Sequence, residues 1–144
     1  MIALPKEHMT THDVIDFVVE HYGADPQGRR SVEKGPYTLR CVYDSPDGRQ
    51  CAFRIFCRDE DARFVNESRS EDDEDPNAGW LLEHASNILL RPEVQGLVGK
   101  LSFWDDIQGL HDEEQYWDLV QGGLSEKGKL AVHKLKCVHP ADAG

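Results

Sequence analysis

Residues 37–57 constrain this chain more than any other stretch. Two alternating runs, 37–43 and 50–57, flank Ser45-Pro46-Asp47-Gly48. Proline presets the second position of a turn, and glycine takes the left-handed conformation that closes it. Alternation on both sides of such a turn predicts an antiparallel β-hairpin. Pairing around a three-residue loop sets Tyr43 opposite Cys51 and Cys41 opposite Phe53. One face then carries Leu39, Cys41, Tyr43, Cys51, Phe53, Ile55 and Cys57. The other carries Thr38, Arg40, Val42, Gln50, Ala52 and Arg54. The first face is the apolar one and the one expected to be buried. A lone hairpin is marginal in water, so helices must cover it.

Helical patterns surround the hairpin. Thr10 or Thr11 caps a first helix through Val14, Phe17, Val18 and His21, which Gly23 ends. Residues 24–36, rich in Gly, Pro and charge, read as a loop. A second helix is expected from Pro76 to about Leu90, with Trp80, Leu81, His84 and Ile88 on one face. Pro92 opens a third stripe through Val94, Leu97, Val98, Leu101, Trp104 and Gln108, where Gly96 and Gly99 weaken the helix and allow a break. A short segment, 112–120, carries Tyr116 and Trp117, and Gly122-Gly123 breaks the chain. Ser125 caps a last helix that His139-Pro140 ends. The expected fold is therefore α+β. It comprises an N-terminal helix, an antiparallel hairpin or small sheet, and three to four helices packed on it, in one domain over 1–144. A chain of 144 residues buries roughly two-thirds of its unfolded surface, enough for one core.

The formal net charge is −11. That disfavours binding to nucleic-acid backbones or anionic membranes, which attract positive surfaces. Nine carboxylates and three arginines fall within 58–75, a net of −6. Over 59–75 such a run reads as a solvated, mobile loop, or as an acidic arm for a basic partner through Glu71, Asp72, Asp73, Glu74 and Asp75. No apolar run approaches the ~18 residues of a membrane span, and residues 1–12 lack the apolar core of a signal peptide. The expected setting is cytoplasmic. There the four cysteines, Cys41, Cys51, Cys57 and Cys137, are core thiols before they are anything else. No cofactor is expected.

Four constellations could carry chemistry. His8, His12 and Asp16 share helical spacing, but His8 precedes the helix and no metalloprotease glutamate accompanies them. The cysteines lack paired metal-ligand spacing, so no metal site is expected. His111 and Asp112, followed by Glu113 and Glu114 and preceded by Asp105 and Asp106, gather an imidazole and carboxylates. General acid–base work would need them in a cleft, and capping the next segment is the plainer role for Asp112. Arg29, Arg30, Arg40, Arg49, Arg54 and Arg58 cluster around the hairpin. Arg40, Arg49, Arg54 and Arg58 could hold a phosphate or carboxylate through bidentate contacts, or pair with the acidic stretch beside them. No Walker, dinucleotide-binding or nucleophile-elbow pattern is present.

Cys41-Val42-Tyr43, Gly48-Arg49-Gln50-Cys51-Ala52-Phe53 and the later Ile107-Gln108-Gly109-Leu110-His111-Asp112, with Trp117 shortly after, form a recognisable set. Together they resemble a pattern in small uncharacterised bacterial and phage proteins, over residues 39–117. Arg54 departs from it, standing where that pattern has glycine. Phe56-Cys57-Arg58 likewise replaces an apolar-Pro segment. The resemblance implies a fold and a phage or prophage setting, not a reaction. Three functions follow in order. The first is a non-enzymatic acidic protein that binds another protein, such as a host defence or nucleic-acid-processing enzyme. The second is a nucleotide-sequestering protein using the arginines. The third is a small hydrolase using His111.

Overall fold

The computed structural model describes residues 2–30, 32–34, 39–41, 50–59 and 90–140. Helices dominate it. Helix α1, Thr11–Gly23, begins at Thr10, whose hydroxyl accepts from the Asp13 amide while the Asp13 carboxylate accepts from the Thr10 amide. That reciprocal box satisfies two orphan donors of the first turn. The expected loop after it contains a further short helix, α2, Pro26–Arg29.

The α+β expectation is overturned. The second strand of the expected hairpin does not form, because Ala52–Ile55 is a helical turn, α3. Extended backbone is confined to three-residue strands β1, Val32–Lys34, and β2, Leu39–Cys41, and to isolated bridges. These two strands pair antiparallel with each other, Val32 opposite Cys41 and Lys34 opposite Leu39, not with 50–57. So short a ladder is not a layer on which helices stack. The turn 45–48 and Tyr43 lie outside the described residues, as do the acidic run 60–75 and the expected helix over 76–89.

The reason lies in burial. Cys51, Ala52, Phe53, Arg54, Ile55, Phe56 and Cys57 are all buried. A segment covered on every side has no solvent face, so its alternation says nothing about a strand. Its continuation is short: Cys57 bridges Leu90, and the Arg91 amide donates to Phe56 O at 2.8 Å.

The third stripe breaks where its glycines weaken it. Pro92–Leu97 is a 3-10 helix, and α4 runs Leu101–Asp112. Another 3-10 turn, Glu114–Tyr116, leads through Gly122 and Gly123 to α5, Glu126–Val138, capped by Ser125. Gly122 and Gly123 sit at φ of 84° and 78°, which glycine alone adopts without steric cost. The core joins Val14, Ile15, Val18 and Tyr22 of α1 to Phe53 and Phe56, and to Phe103, Trp104, Ile107 and Leu110 of α4. Helix α5 lies outside that core. Its buried residue is Gly128, where a Cβ would meet Tyr116 O at 2.0 Å.

Candidate functional site

Three of the six buried polar residues among the described residues, Arg30, Gln108 and His111, meet at the end of α4. Helical spacing puts Gln108, His111 and Asp112 within one turn there. His111 is wholly buried. Its Nδ1 lies 2.7 Å from Asp112 Oδ1, so the ring donates from Nδ1 to the carboxylate. Gln108 Nε2 donates to the same oxygen at 3.1 Å, and Gln108 Oε1 accepts from the Phe53 amide at 3.1 Å. Asp112 thus secures its own helix instead of capping the next segment.

Two residues from the start of the chain complete the cluster. The Tyr22 ring meets His111 edge-on with centroids 4.8 Å apart, and its hydroxyl donates to Gln50 O at 2.5 Å. Arg30, 3% exposed, donates from Nε to His111 O and from Nη2 to Asp112 O, both at 2.7 Å. These are two of the carbonyls a helix leaves unpaired at its C-terminus, and a cation there also suits the negative end of the helix dipole. Burial lowers the Arg30 pKa, opposed by Glu114, Asp112 and Glu113.

Burial also pushes the His111 imidazole below its ordinary pKa of 6.5, with the Asp112 carboxylate opposing and Arg30 reinforcing. His21, stacked on Phe17, is lowered by burial and then by Arg29 and His111. A neutral, buried imidazole beside its carboxylate braces a helix end. The unfolded chain takes up a proton on His111 near the ordinary value, whereas the folded chain resists it. Stability is therefore complete above pH 6.5 and falls below it, by up to ~1.4 kcal/mol per pH unit for this group. Urea denaturation from pH 8 to 5 should show that slope, and His111→Gln should reduce it to the part that His21 contributes. Parallel slopes in the two proteins would remove His111 as the cause.

The other expected residues are dispersed. Arg54 is buried in α3, with Nη2 3.2 Å from Asp59 Oδ1 and Nη1 donating to Cys57 O at 3.5 Å. Arg40 belongs to β2, so the shared strand face expected for Arg40 and Arg54 does not form. Arg58 is half-buried, and Arg49 and Glu71, Asp72, Asp73, Glu74 and Asp75 lie outside the described residues. Cys51 and Cys57 are buried and Cys137 is exposed. His12 Nε2 approaches Lys136 O at 3.0 Å and Asp16 pairs with Lys136 Nζ at 2.6 Å, so both serve the contact of α1 with α5. Among the described residues no group of three His, Cys, Asp or Glu could hold a metal ion. Nor is any described helix long and apolar enough to cross a membrane.

On the surface, α5 shows a different character. It carries Lys127, Lys129, Lys134 and Lys136 against Glu126, and leaves Leu130 72% and Val138 58% exposed. Between α4 and α5 runs a groove of about 380 Å³, lined by Asp105, Asp106, Gly109 and Glu113 on one side and Lys134, Leu135 and Val138 on the other. The chain matches no protein-family model, no curated protein and no solved structure.

Proposed function

We propose that this chain works by binding another protein, with its C-terminal part as the docking surface. One observation carries the reading: the large hydrophobics left exposed among the described residues, Val120 at 93%, Leu130 and Val138, all fall within 120–138. Exposed apolar side chains within one stretch of chain, with lysines beside them, support an interaction surface there. The burial of His111 supports the same reading, because it withdraws the His111–Asp112 pair from acid–base work. Because α5 itself is lysine-rich, the basic partner surface that the net charge of −11 favours, such as that of a nucleic-acid-processing enzyme, would be met by the acidic residues 59–75.

Leu130 is the first residue to change, since its exposure means that substitution leaves the core intact. Tagged full-length chain and Leu130→Glu chain would be used to capture proteins from bacterial lysate, quantified by mass spectrometry. A partner should drop about tenfold with Leu130→Glu, the loss of one interface anchor. Removal of residues 66–75 should weaken the same partner and reduce its salt dependence. An identical retained set from all three proteins would end the proposal.

A further inference from the structure

The groove between α4 and α5 has a feature that folding does not require. Gly109 sits inside α4, where glycine destabilises a helix by about 1 kcal/mol relative to alanine. Among the described residues, a Cβ at Gly109 would meet nothing within 4 Å. No neighbour excludes a side chain there, and no unusual backbone angle calls for glycine. What glycine does is widen the groove and bare the helix backbone at its middle. The floor beside it is apolar, through Leu135 and the exposed Val138. The rim sets three carboxylates, Asp105, Asp106 and Glu113, against Lys134. Asp106 also takes His139 Nε2 at 2.7 Å, so that carboxylate is braced in place.

We propose that this groove receives a basic amphipathic helix of the partner. An apolar side chain of leucine or methionine size seats over Gly109, and a flanking lysine or arginine faces Glu113. The inference rests on the binding reading above and names the chemistry of the partner. Helix-in-groove recognition uses anchors at helical spacing of this kind, and the carboxylate rim selects against acidic segments.

Random peptides displayed on phage would be selected on the full-length chain, and enriched peptides measured by fluorescence polarisation. Enrichment of net-positive sequences with Leu or Met three or four residues apart is expected. Gly109→Trp, which fills the groove, should weaken them about tenfold or more. Gly109→Ala should melt higher and weaken them less than tryptophan does, separating occlusion from misfolding. Should Gly109→Trp fail to fold, Glu113→Lys replaces it and should weaken basic peptides while sparing neutral ones. Absence of enrichment, enrichment of acidic peptides, or binding indifferent to these substitutions overturns the proposal. So does light scattering that shows a second copy of the chain occupying the groove. If Leu130→Glu abolishes partner capture and Gly109→Trp does not, the groove is wrong and the binding reading stands. If neither variant alters capture, both fall.

Discussion

Replacing Trp104 with alanine is expected to lower the free energy of unfolding by about 3–5 kcal/mol. Trp104 is fully buried in the first turn of α4. Its ring meets Phe103, Phe56 and Phe53 with centroids 5.3, 5.4 and 5.7 Å apart. These contacts join α4 to α3, so the cavity would open between two elements that cannot both close on it. The indole Nε1 also donates to Leu97 O at 3.0 Å, tying the 3-10 helix to α4. Alanine would leave that carbonyl without the indole donor, adding to the loss of apolar contact. Phenylalanine at 104 should fill much of the space yet still forfeit the bond to Leu97, and so should cost about 1–3 kcal/mol. Urea denaturation of both variants checks the order. A cost for alanine below about 1 kcal/mol would show that the core is not assembled around this ring.

Replacing Arg30 with methionine is expected to cost about 2–4 kcal/mol. Methionine keeps the unbranched stem and removes the fork that reaches His111 O and Asp112 O. Hydrogen bonds from a charged donor contribute more than neutral ones, and the two carbonyls would lose their guanidinium partner at a buried helix end. Arg30→Lys should rescue little, because one ammonium cannot reproduce donors spaced by a planar guanidinium. The measurement is again the midpoint and slope of urea unfolding. Hydrogen exchange at the end of α4 gives an independent readout, because amides there should open more readily in the variant. A variant as stable as the parent would mean that water replaces Arg30 at both carbonyls.

The helix ends were legible in the sequence, and the middle was not. Thr10 with Asp13, Ser125, and the weak spots at Gly96 and Gly99 act through neighbours a few residues away. Local chemistry settles them whatever the tertiary structure does. Residues 50–57 failed for the opposite reason. Their pattern suits a strand with one wet face, but both faces are covered, and the Phe53 amide finds its acceptor in Gln108, 55 residues away. The pairing of His111 with Asp112 could be suspected from adjacency. Its burial could not, since it depends on Tyr22 and Arg30, separated from it by most of the chain. Tyr22 carried a faint signal, standing four residues beyond Val18 on the apolar side of α1. Nothing local marked Arg30 out from the other arginines as the residue that would close a distant helix.

The contact between α1 and α5 bears on how the protein is made. Thr11 Oγ1 hydrogen-bonds His139 O and Pro140 O, His12 reaches Lys136 O, and Asp16 holds Lys136. These links join residues 120 to 129 positions apart. During synthesis the first helix leaves the ribosome long before its partners exist. Its apolar side must wait, covered by transient contacts or by a chaperone, until residues 101–112 and then 126–140 emerge. Local helices can form early, but the closing of first against last is a late and entropically expensive step. Assembly of this domain is therefore expected to wait until residues 126–140 have been made.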